Sequence, residues 1–463
     1  MTDIAAYLET NRARFESELA DFLRIPSVST LTSAKPALLR CAEYVAARIR
    51  DAGVDKVEVV PTEGNPIVVA EQIVSSDAPT LLVYGHYDVQ PSDPEHLWTA
   101  PPFEPEVRDG RMYARGAIDD KGQVHMHIKA LEARLKSGAG LPVNTKLVIE
   151  GEEEIGSRNL EAFLHAHSDR LSCDAVVISD TGMLAADCPS IGMGLRGIAY
   201  LEVSFRGPAT DLHSGSYGGA VVNPANALAA TIARLKDERG RVTIPGFYDR
   251  VRPITEEERE QLRALPFDDE QFRTEVGAPA LGGEAGYSTL ERLWYRPTLD
   301  VNGMLSGWTG EGSKTVLPSK ATAKISMRLV PDQDPTDIAE RFRAHIEALA
   351  PAGVEVEVKS SHGGEPWAAD PQHPIFDAAA AALEAAFGKK PVYIREGGSI
   401  PIVPMFERTF DAPVLLLGFA LPGCNAHAPD EWIDLRMYAR GIETIAQLYD
   451  EVAARRLRET ARA

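Results

Sequence analysis

Residues 81–91 read LLVYGHYDVQP, an apolar run from Leu81 to Tyr84 that passes straight into His86 and Asp88. A short apolar run bounded by polar residues is how a strand buried on both faces looks in sequence. The same form recurs at Lys146-Leu147-Val148-Ile149, which is followed by EGEEEIGS, and at Ala175-Val176-Val177-Ile178, which is followed by Ser179 and Asp180. Helical stretches separate the three runs. Strands alternating with helices predict an α/β sheet covered by helices, and such sheets bind ligands at the carboxyl ends of their strands. Each of these runs ends in polar and acidic residues, so chemistry is expected there.

Further along, the texture changes. IAYLEVSFRG (198–207) alternates as a half-buried strand does, NPANALAATIARLKD (223–237) is helical, and a polar, proline-punctuated stretch runs from Glu238 to Thr298. A second alternating set, Lys320–Leu329 and Val354–Lys359, flanks the helical TDIAERFRAHIEALA. Strand, helix, strands, helix, strand describes a small α+β unit of ferredoxin-like type. After Pro366 comes an alanine-rich helix and then the buried-strand run Val414–Leu417, which returns to the first pattern. The expected organisation is a catalytic α/β domain over 1–195 and 366–463, with an inserted lid or dimerisation domain over 196–365.

Composition bounds the function. The 463 residues exceed what one ordinary core organises, and 44% hydrophobic with 25% charged residues is the mix of a folded globular chain. A formal charge of -20 repels nucleic-acid phosphates and anionic lipid, so neither is an expected partner. The start, MTDIAAYLETNRARF, reads as an amphipathic helix carrying acidic residues rather than as a signal peptide, and no apolar run reaches membrane-spanning length; a cytoplasmic location is expected. Cys41, Cys173, Cys188 and Cys424 are scattered without CxxC spacing, which points to free thiols rather than a disulfide framework or a thiolate zinc site.

The residues able to bind a metal do not form one compact motif. His86 and Asp88 are two apart, so on an extended chain they face the same way, as a ligand and the carboxylate orienting it would. Asp119 and Asp120 lie in ARGAIDDKG at the opening of a helix, where an ordinary helix-capping role is the simpler reading. Glu152, Glu153 and Glu154 follow a strand directly, and three adjacent carboxylates repel unless cations compensate them. Asp180 closes the run DAVVIS, and His427 sits in GCNAHAPDEW beyond LLLGF. Each alone is a common surface pattern; five such clusters at successive strand ends are not. Oxygen and imidazole donors without thiolate suit zinc, manganese or cobalt, and a pair of ions about 3.5–4 Å apart would need one carboxylate that bridges both.

The ordered matches YGHYDVQP, RGAIDDKG, EGEEEIGS, DLHSGSYGG and REGGSIP resemble the co-catalytic metallopeptidases. That family includes carnosinase-like cytosolic nonspecific dipeptidases, acetylornithine and succinyl-diaminopimelate deacylases, aminoacylase and the glutamate-releasing carboxypeptidase. The resemblance covers essentially the whole chain and is strongest to the dipeptidases. It implies hydrolysis of the peptide bond of a dipeptide or short peptide by a metal-bridging hydroxide, with two zinc or manganese ions, or cobalt, per subunit. The implied ligands are His86, Asp119 as the bridge, Glu154, Asp180 and His427. Asp88 is the implied carboxylate behind His86, Glu153 the general base, and the Asp119–Asp120 peptide bond is implied to be cis. His213, Thr315, Arg328, Ser399 and His427 are the implied substrate contacts, and His362 falls where some relatives carry a histidine near the substrate. His213 is further implied to act in trans within a homodimer. Departures lie in the long GWTGEGSK segment before Thr315, at Tyr87 and around GCNAHAPDEW, and they bear on substrate preference.

The remaining histidines read as structural: His125 with His127, and His165 with His167, are two apart in helical stretches and diverge, and His96, His345 and His373 have no supporting neighbours. The competing functions are an N-acyl amino-acid deacylase or a carboxypeptidase on the same centre. A catalytically silent binding protein and a purely structural metal site belong to different classes, and both leave Asp88 and Glu153 unexplained.

Overall fold

The computed structural model describes residues 3–455 and Leu457. The chain forms two compact units, the first made of Met1–Met193, Ala369–Ile394 and Ile402–Ala463, the second of Gly194–Ala368 and Arg395–Pro401. Each has its own hydrophobic core.

The sheet of the first unit is mixed. Strand Thr80–His86 is buried at every position and runs parallel to Asn144–Glu150 on one side and Ala175–Ile178 on the other. Val414–Leu416 continues the parallel set beside Ala175–Ile178, while Lys56–Val60 and Ile67–Gln72 extend the far side antiparallel. Burial on both faces is why the parallel strands read as unbroken apolar runs. The parallel register brings His86 level with Glu150, and the residues that follow each strand emerge at one edge.

Helix Lys121–Lys136 is buried along fourteen of its sixteen residues, packed among helices Asp3–Leu23, Lys35–Ala52 and Leu435–Arg455. Asp120 holds its N-cap position, yet its side chain caps nothing. The carboxylate instead accepts a hydrogen bond from the His86 amide at 3.3 Å, so the simple capping role gives way to a contact with the strand end. The N-terminal helix spans Asp3–Leu23, and Met1 and Thr2 of the expected stretch lie outside the described residues.

The second unit is ferredoxin-like. Strand Gly197–Arg206, helix Pro224–Ala233, strands Thr298–Ser306 and Lys320–Leu329, helix Pro335–Leu349 and strand Glu355–Gly364 follow in sequence. The spatial order is Thr298–Ser306, Lys320–Leu329, Gly197–Arg206, Glu355–Gly364, all neighbours antiparallel. Leu201, Val203, Phe205, Ile325 and Met327 form its core with Ile338 and Phe342 of the second helix.

Two features of this unit differ from the sequence reading. The polar stretch before Thr298 contains three short helices, Glu256–Ala264, Asp269–Glu275 and Thr289–Trp294, two of them opened by capping boxes at Thr255 and Ser288. Strand Thr298–Ser306 carries no clear sequence signal because it is an edge strand whose register shifts between Val301 and Gly303, leaving Val301, Met304 and Leu305 exposed and the alternation broken. Among the described residues, no helix is long and apolar enough to cross a membrane.

Candidate metal centre

Four loops that leave the carboxyl ends of the parallel strands, with the Ile118–Asp120 turn before the buried helix, converge in the first unit. His86 is the last residue of its strand and fully buried. Its Nδ1 lies 3.1 Å from the Asp88 carbonyl oxygen and 3.4 Å from Asp88 Oδ1, while Nε2 faces Asp119 Oδ1 at 3.2 Å and Asp180 Oδ2 at 3.7 Å. The other Asp119 oxygen, Oδ2, stands 2.7 Å from His427 Nε2, which is itself 3.3 Å from Glu154 Oε2. Two three-residue groups result, His86 with Asp119 and Asp180, and Asp119 with Glu154 and His427, and in each the donor atoms all lie within 4.8 Å of one another. Asp119 belongs to both and presents one oxygen to each.

The acidic run at 152–154 divides its labour. Glu152 accepts hydrogen bonds from the Asn65 amide at 3.1 Å and the Asn159 side chain at 2.6 Å, so it braces the loop. Asp88 accepts from the amides of Glu153 and Glu154, both at 3.2 Å, and thereby pins the 3-10 turn Glu153–Ile155 to the carboxylate that backs His86. Gln90 donates to Glu154 Oε2 at 2.7 Å, and no described hydrogen bond engages the Glu153 carboxylate.

These residues fit a pair of cations. His86 Nε2 and Glu154 Oε1 are buried without a hydrogen-bond partner, an arrangement that costs stability unless something accepts their lone pairs. Asp88, Asp119, Glu153, Glu154 and Asp180 bring five carboxylates to two imidazoles. The pKa values shift to offset the imbalance. Burial pushes the Asp180 carboxyl well up, with Asp119 and Asp120 adding to it. Burial first, then the charges of Glu154, Asp119 and Asp88, bring Glu153 up to about 7 against the opposing effect of His86. Hydrogen bonds to Asp119 and Glu154 raise His427 to about 10. His86 is raised well above the ordinary range because Asp119 and Asp88 outweigh its burial. Asp119 is lowered, its burial outweighed by the neighbouring His427 and His86. Cations bound by the same atoms would displace those protons, which is how metal affinity and pH are linked.

The backbone is shaped to the site. The Asp119–Asp120 peptide is cis. His427 adopts φ 61, in the left-handed region that an L-residue occupies at a cost of about 1 kcal/mol, within a loop where Asn425 and Asp430 do the same. Glu431, which sequence reasoning passed over, is fully buried and accepts from the amides of Ile118 at 2.9 Å, Asp119 at 3.1 Å and Gly116 at 2.9 Å and from Arg115 Nη1 at 2.7 Å. It fixes the turn that presents Asp119. Its partners are mostly backbone amides, which no side-chain pattern marks.

His213, Thr315, Arg328, Ser399 and His362 all belong to the second unit. His213 is exposed, and its Nδ1 accepts from the amides of Gly215 at 3.1 Å and Ser216 at 3.3 Å. A neutral ring in that setting carries its proton on Nε2 and offers a donor there. The Ser214 amide donates to the Thr315 carbonyl at 3.1 Å, at the end of a two-stranded ribbon in which His213 pairs with Val316. Arg328 Nη1 donates to Ser399 Oγ at 2.7 Å. The His362 backbone pairs with Tyr200, and its side chain lies outside the described residues. His125 and His127 are buried in helix Lys121–Lys136, the first 2.7 Å from the Tyr438 hydroxyl and the second 2.7 Å from Ser179 Oγ.

A family model described as peptidase family M20/M25/M40 matches residues 82–451. The Cys-Gly metallodipeptidase dug1 of Schizosaccharomyces pombe is 32% identical to this chain, the match covering 96% of this chain and 97% of the relative. The crystal structure of human carnosine dipeptidase 1 superposes with a TM-score of 0.84 at 30% identity, over 97% of this chain and 98% of that one. The M20 family metallo-carboxypeptidase Sso-CP2 from Sulfolobus solfataricus gives 0.83 at 33% identity, over 95% and 99%.

Proposed function

The chain belongs to peptidase family M20/M25/M40, and on that footing we propose that it is a metal-dependent dipeptidase in which His86, Asp119, Glu154, Asp180 and His427 hold two divalent ions and Glu153 moves the proton. The observation that carries this reading is Asp119, which offers one carboxylate oxygen to each of two ligand groups. Histidine and carboxylate donors without thiolate suit zinc or manganese, with cobalt a workable substitute. Ions so held would polarise the scissile carbonyl and lower the pKa of water.

The chain's own residues do the rest. Glu153, half-buried beside Asp88 and Glu154 with its carboxylate unengaged, takes a proton from the attacking water and returns it to the leaving amine. Asp88 holds the His86 ring and the Glu153 turn in one orientation. Nε2 of His213 is a donor suited to the oxygen of the tetrahedral intermediate, and we assign it to the centre of the second subunit of a homodimer. Arg328, with Ser399, is suited to a free C-terminal carboxylate, which a guanidinium fork matches. A cytoplasmic location completes the proposal.

The likeness to a metallo-carboxypeptidase at 33% identity favours one second reading, release of C-terminal residues from longer peptides on the same centre. Hydrolysis rates for an unblocked dipeptide, its N-acetyl form and a tripeptide of the same sequence separate the readings. The dipeptide should be cleaved at least tenfold faster than the other two. A faster tripeptide would establish the carboxypeptidase, and a faster N-acetyl substrate a deacylase.

A further inference from the structure

Arg196 immediately precedes the strand Gly197–Arg206, two positions before Ile198, which pairs with Arg328, so the two arginines are diagonal neighbours. Four hydrogen bonds tie it to the turn Glu396–Ser399. Its amide donates to the carbonyls of Glu396 at 3.3 Å and Gly398 at 3.1 Å, and its Nε donates to the Gly397 carbonyl at 3.0 Å. Its own carbonyl accepts from Ser399 Oγ, the hydroxyl that receives Arg328 Nη1. The contact is close: a Cβ at Gly397 would stand 2.8 Å from Arg196 Nη2 and push the guanidinium aside.

The charge of Arg196 is unbalanced. The residue is 9% exposed, its Nη1 is buried with no hydrogen-bond partner, and neither it nor Arg328 forms an ion pair among the described residues. Burial and the neighbouring Arg328 charge bring the Arg196 guanidinium down to about 10, against a lesser opposing effect of Asp300. A half-buried Arg328 and a buried Arg196 placed together without a carboxylate are destabilising until an anion arrives, because a buried cation needs a partner. A guanidinium that served structure alone would be expected to have a carboxylate beside it, as Arg115 has Glu431 and Arg296 has Glu284 in this same chain.

We infer that Arg196 is a positioning residue of the C-terminal-carboxylate site: it holds the Gly397–Ser399 turn so that Ser399 orients Arg328, and its uncompensated charge raises the preference of that site for an anionic ligand end. This rests on the reading of Arg328 as the group that recognises the substrate carboxylate. The two contributions separate by substitution. Arg196→Lys keeps the charge and gives up the Nε bond to Gly397, Arg196→Ala removes both, and Gly397→Ala keeps the charge but displaces the guanidinium.

The test compares a dipeptide with its C-terminal amide in wild type, Arg196→Ala, Arg196→Lys, Gly397→Ala and Arg328→Ala, with KM and kcat measured for each and folding checked by circular dichroism. Arg196→Ala should lose at least tenfold more on the free acid than on the amide, with the loss in KM rather than kcat, and Arg196→Lys should recover part of it. Should Arg196→Ala fail to fold, Gly397→Ala must show the same selective loss in weaker form. Equal losses on acid and amide in the Arg196 and Gly397 variants, with a selective loss in Arg328→Ala, would overturn this inference alone. Equal losses in Arg328→Ala as well would overturn the reading it rests on.

Discussion

Glu153 and Glu154 are neighbours in sequence with opposite assignments, and that contrast is the sharpest residue-level consequence of the geometry. Glu154 Oε2 sits 3.3 Å from His427 Nε2 within a ligand group, while the Glu153 carboxylate stands outside both groups. Glu153→Gln should therefore lower kcat by about 10²–10⁴ or more while the metal content of the protein stays as in wild type. Loss of metal in step with activity would reverse the two roles. The residues brought together here were visible in sequence because each stands just beyond an apolar run or in a glycine-flanked turn, where the α/β pattern puts ligands. Glu431 and Arg196 were not, because they act mainly on backbone atoms distant in sequence, Glu431 on the amides of residues 116, 118 and 119 and Arg196 on the carbonyls of 396–398. Only the fold brings those pairs into contact.

At the scale of an element, helix Lys121–Lys136 carries charge into a core that has little water to solvate it. Glu132 accepts from the Tyr7 hydroxyl at 2.9 Å and from Lys129 Nζ at 2.8 Å, and it also pairs with Arg14, joining the helix to Asp3–Leu23. Burial raises its pKa, but the bonds from Arg14 and Lys129 prevail and bring it down to about 2. A carboxyl depressed in the folded state contributes stability that is present above its unfolded pKa, near 4.5, and is lost as pH falls through the folded value. Glu132→Gln should thus destabilise the protein by about 1–3 kcal/mol at pH 7, because it removes one of the two carboxylates that pair with buried Lys129 and with Arg14, Glu18 remaining as the other. The gap between variant and wild type should narrow as pH drops from about 4.5 toward 2. Denaturant midpoints at pH 7 and pH 3 measure it, and equal midpoints at pH 7 would show that the network adds nothing. The parallel strands were legible because burial on both faces gives unbroken apolar runs. The edge strand Thr298–Ser306 and the three short helices before it were not, since a bulge breaks the alternation in one and short polar helices carry too little periodicity in the others.

For the whole molecule, the proposed homodimer makes His213 of one subunit work with Glu153 of the other. His213→Ala and Glu153→Gln should each be nearly inactive alone. Refolded together as a mixture, about half the dimers pair the two variants, and each such dimer has one site with both groups intact, so activity should return to about a quarter of wild type. No recovery despite confirmed mixed dimers would mean that His213 serves its own subunit. The central claim, however, is that the residues around Asp119 hold two divalent ions without which no dipeptide is cleaved. The most direct measurement is metal content and dipeptide hydrolysis followed together through chelation and stepwise return of zinc or manganese. Activity should vanish on chelation and return in proportion to bound metal, reaching its full value at about two ions per chain. Full dipeptide hydrolysis by protein verified to contain no metal would contradict the account.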